Sequence, residues 1–511
     1  SQRDTIRNQA IDYTERKSIS LIGVRKNGSG AKPHFYNLEN FDFSYAYNEF
    51  SHRDYEIENQ SNKTVALSAN YNYGFSPLEM NPFKKVKALN RKKYWQWLRE
   101  VNFNLVPNNI AISSNINRLF NIQQFREVYY QDIDASQQLS LPELQQRNFL
   151  FDWTYSINHN LSRSLKMNFT ASSNNIVRNY YQENNKGGSM VDKSRDIWDG
   201  LWDIGDPNRH FQSLTLNYKL PLKYIPFLNF IEANYSYTGD FSWQRGSNVL
   251  GDVQDVNGII LGIVNKVQNA NTQTLNGSIS MFEIYRLFGI QNREQKLRKI
   301  LPSKNTLLPA EETKKGSKKK KRILRSIADF LSVMKRVQFT YTENNGKVLP
   351  GYLPSLGFGG TLQPTPGFTF GSQADVRYEA ARNGWLTDFP DFNQQFTQVH
   401  NNQLKVSGQF DFGKGLLIDF TAERNFSENL SENFSIINGS YVPLNPNTYG
   451  NFGISTLLIK TAFNTPSGSY NPNFEKFREH RLVVAQRLAT AAGIPAADVD
   501  EEGFPRGFGR T

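Results

Sequence analysis

The sequence predicts an all-β protein, a transmembrane antiparallel β-barrel, on three observations. Only 38% of the 511 residues are hydrophobic, whereas 13% are aromatic, and aromatic residues suit strands. Apolar and polar residues alternate with period 2 along much of the chain. Successive links between these runs alternate between short and long, which is typical of outer-membrane barrels with short periplasmic turns and long external loops.

Thirteen runs show this alternation. The longest clean case is 231–243, where Ile231, Ala233 and Tyr235 begin an apolar series that alternates with polar neighbours such as Glu232 and Asn234. Several runs approach the roughly 9–11 residues that a membrane-crossing strand needs. The predicted strands are 18–25, 35–48, 65–75, 110–120, 149–157, 165–172, 214–220, 231–243, 271–281, 337–344, 404–412, 416–422 and 450–462.

The links divide the chain into regions. We predict tight turns at 26–34, 158–164, 221–227 and 413–415, and long external loops at 121–148, 174–210, 244–270, 345–401 and 425–449. Two links on the same side as the tight turns are long, namely 76–108 and 282–336. Both are predicted to be basic periplasmic insertions. Barrel strands are therefore predicted in 1–75, 109–281 and 337–462, with the Gly/Pro-rich external loop 345–401 inside the last region. Residues 463–511 are predicted to form an external loop with a helical cap at 474–489.

A soluble antiparallel sandwich would also show alternating strands. It would not show the regular change between short and long links, and the charges of both signs on the polar face suit a water-filled interior. We therefore predict that this face lines a wet lumen. The predicted lumen-lining residues are Asn70, Asp152, Ser156, Lys166, Asn168, Lys219, Glu232, Asp240, Lys405, Asp411 and Asp419. Aromatic pairs near strand ends (Tyr73/Phe75, Phe149/Phe151 and Phe241/Trp243) are predicted to form interfacial girdles.

The net charge of +12 is concentrated in two places. Residues 84–99 hold seven Lys or Arg and no acid, and residues 291–336 hold fifteen Lys or Arg against four acids. No nucleic-acid-binding fold surrounds either stretch, so we predict an anionic lipid surface or an acidic partner and no nucleic acid. The predicted basic periplasmic patch consists of Lys84, Lys85, Lys92, Lys93, Lys318, Lys319, Lys320, Lys321 and Arg322.

The sequence offers no catalytic constellation. There is no cysteine, which excludes disulfides and thiolate chemistry, and the six histidines are scattered singly without metal-ligand spacing. The longest apolar run, 259–264, is far too short for a membrane helix. We predict no enzyme activity, no cofactor and no metal.

Eight stretches resemble one family: 103–118, 148–175, 201–226, 233–247, 271–288, 364–389, 450–463 and 474–489. They are similar to the SprA/Sov family, the outer-membrane translocons of the type IX secretion system, which are also linked to gliding motility. The resemblance covers nearly all of the chain. It implies a portion of a very large single-chain barrel, integral to the outer membrane of a Gram-negative bacterium, that conducts folded protein outward.

The resemblance also implies partners. These are secreted cargo with a C-terminal type IX signal, a smaller PorV-like shuttle barrel, a periplasmic plug protein and outer-membrane lipid. The chain opens at Ser1 without Met, and thirteen is an odd strand number, so we expect a fragment. Two other classes stay open. One is a different large barrel, such as a solute porin, a receptor or a lipopolysaccharide-assembly barrel, and the other is a soluble β adhesin.

Overall fold

The fold is seen in a computed structural model of the chain. The structure describes residues 3, 7, 10–28, 34–84, 86, 98, 101–126, 141–178, 181–183, 189–192, 194–225, 227–287, 334–357, 359–412, 415–456, 468, 470–495, 498–500 and 503–508. Most of the described chain is β-strand. It divides into two compact units, residues 1–453 and 454–511.

The first unit is built on one thirteen-stranded antiparallel sheet whose strand order follows the chain. Each strand pairs with its sequence neighbours, so the sheet is an up-and-down meander with β1 and β13 at its edges. The strands are β1 (Tyr13–Val24), β2 (Phe41–Arg53), β3 (Ile57–Gly74), β4 (Asn109–Phe125), β5 (Leu144–His159), β6 (Leu165–Ile176), β7 (Asp206–Lys219), β8 (Ile231–Gln244), β9 (Asn265–Ser280), β10 (Met334–Tyr352), β11 (Phe396–Asp411), β12 (Leu417–Ile437) and β13 (Ser440–Ile454). Each of the thirteen predicted runs overlaps one of these strands, which confirms the prediction of an antiparallel all-β fold.

The prediction of a long external loop at 425–449 is wrong. Strand β12 is 21 residues long, and only Asn438 and Gly439 separate it from β13. Both turn residues have positive φ, 48° for Asn438 and 72° for Gly439, which a two-residue hairpin of type I′ requires. The strand was missed because Glu428 and Glu432 interrupt the apolar positions of an otherwise regular alternation.

The other long links are shorter than predicted because the strands extend into them. The Gly/Pro-rich connection, predicted as 345–401, comprises residues 353–395 and contains two short helices, α3 (Pro366–Thr369) and α4 (Arg377–Arg382). Helix α1 (Asn248–Gly251) lies between β8 and β9. Two small antiparallel ribbons, Tyr181–Glu183 with Ser189–Val191 and Glu79–Met80 with Phe103–Asn104, complete the described links.

The predicted insertions lie largely outside the described residues. In the first, the ribbon described above is seen, but most of 84–99 is outside. In the second, helix α2 (Met281–Leu287) directly follows β9, and residues 288–333 are outside.

The second unit contains the predicted helix, α5 (Pro472–Ala491), which spans the whole of 474–489. Asn471 caps it by accepting hydrogen bonds from the backbone N–H groups of Asn473 and Phe474. The guanidinium of Arg481 lies 5.3 Å from the ring centroid of Phe504, which holds residues 503–508 against the helix. Among the described residues, no helix is long and apolar enough to cross a membrane.

Candidate functional site: a polar sheet face and the face opposite

One face of the sheet is polar from strand to strand. Residues that pair across antiparallel strands point to the same face, so the register identifies each face directly. One such row is joined by hydrogen bonds between Thr215 and Thr238 (Oγ1 to Oγ1, 3.3 Å) and from Thr272 to Asn344 (2.9 Å). The row contains Asn168, Thr215, Thr238, Thr272, Asn344, Asn401 and Ser427.

The eleven residues predicted to line a lumen all lie on this polar face. The register places Asn70 in the row of Ser113 and Thr154, and Lys219 in the row of Asn234 and Lys405. Their partners are polar: the amide of Asn174 donates to Asp152 (2.6 Å), that of Gln409 donates to Asp419 (2.8 Å), and Lys335 Nζ lies 2.7 Å from Asp411 Oδ2. That this face lines a lumen stays a prediction.

The predicted basic patch cannot be placed in the same way. Lys84 is described, in a turn after the short strand Glu79–Met80. Lys85, Lys92, Lys93, Lys318, Lys319, Lys320, Lys321 and Arg322 lie outside the described residues. The role of the patch therefore stays a prediction.

The opposite face has two parts, and the half nearer the tight turns is apolar. We call it the apolar band, and it takes two to four same-face side chains from each of the strands β3–β12. Many of its members are partly exposed, with Ile112 46% and Ile418 45% exposed, whereas Trp153 and Ala233 are buried. The band comprises Leu67, Ala69, Tyr71 and Tyr73 (β3), Ile110, Ile112 and Ile116 (β4), Phe151, Trp153, Tyr155 and Ile157 (β5), Leu165, Met167 and Phe169 (β6), Leu214, Leu216 and Tyr218 (β7), Ala233, Tyr235 and Tyr237 (β8), Leu275 and Ile279 (β9), Val337, Phe339 and Tyr341 (β10), Leu404, Val406 and Phe410 (β11), and Ile418, Phe420 and Ala422 (β12).

The half nearer the long links is covered by two segments of those links. The first segment, residues 192–205, lies over β2–β5 and is held by two arginines of the sheet. Arg118 donates to the carbonyls of Ile197 (2.7 Å), Asp199 (2.8 Å) and Gly200, and its guanidinium lies 4.7 Å from the ring centroid of Phe149. Ile197 is completely buried as a result, in a cluster with Val65, Phe120, Phe149 and Val177.

Arg147 repeats this arrangement one strand away. It donates to the carbonyls of Asp192 (3.2 Å) and Arg195 (2.6 Å), and its guanidinium lies 4.7 Å from the ring centroid of Phe120. Within the segment, the hydroxyl and backbone N–H of Ser194 bind the Asp192 carboxylate, and these hydrogen bonds, together with the charge of Arg195, lower the pKa of Asp192.

The second segment, residues 353–395, covers the corresponding part of β7–β12 by a different means. Seven consecutive backbone carbonyls, those of residues 368–374, each accept a hydrogen bond from a side chain of the sheet. The donors are Asn269 (to Phe368, 2.6 Å, and Ser372, 3.0 Å), Gln212 (to Thr369, 2.7 Å), Tyr237 (to Phe370, 2.7 Å), Asn271 (to Gly371, 2.6 Å) and Lys347 (to Gln373, 2.5 Å, and Ala374, 3.2 Å). We call this set of donors the carbonyl cradle.

An ion pair fixes the part of this segment that directly follows the seven bound carbonyls. Arg377 in α4 binds Asp375 through two hydrogen bonds, Nε to Oδ1 (2.9 Å) and Nη2 to Oδ2 (2.7 Å), and also contacts the buried Glu432 of β12. Tyr441 of β13 donates to the same Glu432 carboxylate (2.7 Å). Burial would raise the pKa of Asp375, but the hydrogen bonds and charge of Arg377 and the charge of Lys347 outweigh burial and hold that pKa below its usual value.

The covering segments correct one prediction. Phe241, Trp243 and Phe149 were expected in interfacial girdles, but they are 1%, 2% and 1% exposed and lie under the covering segments. Phe241 packs edge-on against Phe368 at 6.2 Å between centroids. Period-2 alternation assigns a residue to a face but does not tell whether lipid, water or another segment meets that face.

Sequence reasoning missed the docking residues themselves. Arg118, Asn269 and Lys347 occupy positions of the face that carries the apolar band, and all three are buried. Their signal is present in the sequence, because each is a polar residue at the position where the alternation calls for an apolar one. Such interruptions mark where the exposed band ends.

The edge of the apolar band crosses the sheet obliquely. On four strands the first polar residue beyond the band marks this edge, namely Arg118 (β4), Gln212 (β7), Gln273 (β9) and Arg424 (β12). The cross-strand row through Gln212 meets β4 at Ile112, six residues nearer the tight turn than Arg118. From β7 to β9 the edge drifts by four residues in the same direction, and from β9 to β12 by two more.

This drift measures the tilt of the strands against the edge of the band. Twelve residues along the strands correspond to roughly 41 Å, and the eight strand spacings from β4 to β12 correspond to roughly 38 Å. With this drift, the strands are tilted by about 45° from the line perpendicular to the band edge. This angle is close to the roughly 35–45° tilt of strands in membrane barrels.

Comparison with known proteins adds no relative. No protein-family model matches the chain, and a search of curated proteins finds no matching sequence. Within the described part of the chain, no group of three or more His, Asp or Glu side chains is placed to hold a metal ion.

Proposed function

We propose that the chain forms part of the wall of a protein-conducting outer-membrane channel, a type IX secretion translocon resembling the SprA/Sov family. The observation that carries the proposal is the oblique edge of the apolar band. A membrane is flat, so a lipid-facing band keeps a constant height while tilted strands pass through it, and its edge then drifts steadily along successive strands. A soluble sandwich packs its apolar face on a second sheet and requires no drift that accumulates in one direction across the sheet.

The two faces of the sheet would contact different surroundings. The apolar band would meet lipid, and the half beyond it would project outside the membrane, where loop segments cover it. The strands of this sheet are 12–21 residues long, more than the roughly 9–11 that a crossing requires, which leaves room for such a projection.

The polar face would line the channel. Rows of Asn, Ser and Thr with charges of both signs form a hydrated wall without apolar patches to which a passing protein could adhere. Cargo with a C-terminal signal, a PorV-like shuttle barrel and a periplasmic plug are proposed as partners on the resemblance alone. The basic insertions would contact anionic lipid or an acidic partner, as proposed from their composition.

The absence of native cysteine makes a direct test possible. Single cysteines are introduced on the polar face (Asn70, Ser156, Asn168, Asp240 or Ser407) and in the apolar band (Tyr71, Tyr155 or Phe169), and the protein is reconstituted into vesicles. A membrane-impermeant maleimide should label the polar-face set at least about tenfold faster. Equal labelling of both sets would contradict insertion in a membrane.

A second measurement separates a translocon from a solute porin. A protein channel should show large single-channel conductance in planar bilayers, and it should retain a cargo bearing the C-terminal signal fused to a rapidly folding domain. Small, cargo-independent conductance with no trapped cargo would favour the porin instead.

A further inference from the structure

A cavity of about 500 Å³ lies at the edge of the apolar band, under the last part of the first covering segment. Its floor is one cross-strand row through five strands, Leu21, Tyr45, Leu67, Ile116 and Phe151. Residues 201–204 form its roof. The volume is within the range of small-molecule sites, about 300–1,000 Å³.

The cavity is continuous with the band and closed on its other side. Three floor residues, Leu67, Ile116 and Phe151, are the outermost band members of β3, β4 and β5. The next row beyond them contains Arg118, whose bonds to the covering segment close the cavity at that side. An apolar ligand can therefore enter along the band and is blocked on the Arg118 side.

The roof carries apolar side chains that do not fill the space below. Trp202 is 84% exposed and Ile204 is 44% exposed, at the level where the band ends. Tryptophan is enriched at membrane–water boundaries because its ring is apolar and its N–H is polar. This position suits a side chain that stands beside an acyl chain rather than one packed in a protein core.

We propose that this cavity binds one acyl chain of a zwitterionic phospholipid from the surrounding leaflet, an inference that rests on the proposed membrane location of the band. The lining is mostly apolar; its polar members are Ser44, Ser68, Ser114 and Asp203, and it contains no cation, so it offers contact to methylene groups and no positive charge to a headgroup. The Asp203 carboxylate at the roof disfavours the strongly anionic headgroup of lipopolysaccharide, which is why we commit to a zwitterionic lipid. The bound chain would contact the floor row and the underside of Leu201.

The test uses the full chain in phosphatidylcholine vesicles that contain a phosphatidylcholine with a photoreactive diazirine near the end of one acyl chain. After irradiation, cross-linked peptides are mapped by mass spectrometry. We expect adducts in the band on β6–β9, at residues such as Met167, Leu216 and Tyr235, and additional adducts at Ile116 and Leu201. The variants Ala69→Phe and Ser114→Leu, which each add bulk beside the floor row, should reduce the Ile116 and Leu201 adducts at least about fivefold and leave the β6–β9 adducts unchanged.

The outcomes separate the two proposals. Band adducts without adducts at Ile116 and Leu201 would overturn the acyl-chain site and leave the membrane location supported. Adducts at Leu201 that persist in both bulkier variants would show surface contact only, and would also overturn the site. The absence of adducts on β6–β9 would contradict the proposed function itself. Unchanged β6–β9 adducts in each variant serve as the control for correct folding.

Discussion

The two covering segments dock on the same sheet face through the same kind of acceptor, the backbone carbonyl, but with different donors. Residues 192–205 are held mainly by two guanidinium groups, those of Arg118 and Arg147. Residues 368–374 of the second segment are held by the carbonyl cradle, in which amides, one phenol and one ammonium group share seven acceptors. Lys63 and Asn175 add contacts to the Asp196 carboxylate and the Ile204 carbonyl, so the first docking depends mainly on two residues with two lesser ones, whereas the second is distributed over five.

The difference has an energetic consequence. A hydrogen bond from a charged donor contributes about 1.5–3 kcal/mol, and a neutral one contributes about 0.5–1.5 kcal/mol. Loss of one arginine therefore removes a large part of the first docking, whereas loss of one amide removes a small part of the second. The second segment should be displaced as a whole only by a change that prevents its backbone from approaching the sheet.

The largest effect is expected from Arg118→Met. The substitution keeps apolar bulk next to Phe149 but leaves three carbonyls of the first segment without their donor, at a cost of about 3 kcal/mol. A cysteine replacing the completely buried Ile197 should then react with a small thiol reagent roughly 150-fold faster.

The matched control for this variant is Arg163→Met. Arg163 is exposed and its ion pair with Glu79 is 3.3 Å long at the surface, so its loss should leave the Ile197→Cys reactivity unchanged. If the cysteine stays equally protected in Arg118→Met, the guanidinium does not hold the segment.

A smaller effect is expected from Gly239→Ala on the second segment. A Cβ at Gly239 would collide with the carbonyl of Phe370, so the backbone of residues 368–374 would have to move off the cradle. Overpacking of this kind costs about 1–3 kcal/mol. A cysteine replacing Thr369, which is 0% exposed, should therefore react about 30-fold faster, corresponding to about 2 kcal/mol.

Gly346→Ala provides the comparison, because its added Cβ would lie 3.6 Å from the Asn269 carbonyl oxygen, an ordinary contact. Equal reactivity of the Thr369→Cys probe in both glycine variants would mean that close backbone approach is not what the cradle requires.

The strands were predictable because each has at least one uninterrupted stretch of period-2 alternation. β12 was half missed because Glu428 and Glu432 stand where that alternation calls for apolar residues. Glu432 is there to bind Arg377, from a segment 55 residues away in sequence. No local pattern contains that partner.

The candidate site likewise has a part that the sequence predicts and a part that it does not. The polar face was predictable residue by residue, because membership of a face depends only on odd or even position and on register. The covering of Phe241 was not, since Phe241 and Tyr235 share a face and are both aromatic, and only the fold of residues 353–395 distinguishes their surroundings.

The smallest expected effect is a dependence of the docking on pH, and it is again expected to differ between the two segments. The folded-state pKa of Asp375 is lowered, whereas the unfolded value is about 3.9. Asp375 therefore contributes stability above about pH 4, and this contribution is lost as the pH falls through the lower folded-state pKa. The charges around it are Arg377, Lys347 and Glu432, and protonating Asp375 leaves both cations with one carboxylate fewer.

Hydrogen exchange of the amides in 368–374, corrected for the intrinsic pH dependence, should be constant from pH 7 to 5 and rise several-fold below about pH 4. In Asp375→Asn the exchange should already be elevated at pH 7 and lose that pH dependence.

Asp192→Asn is the matching variant in the first segment. The pKa of Asp192 is also lowered, but its neighbours Ser194 and Arg195 belong to the same segment, so its protonation should not release residues 192–205 from the arginines of the sheet. Equal acid sensitivity of both segments would contradict the expectation that their different contacts make the two dockings respond differently to pH.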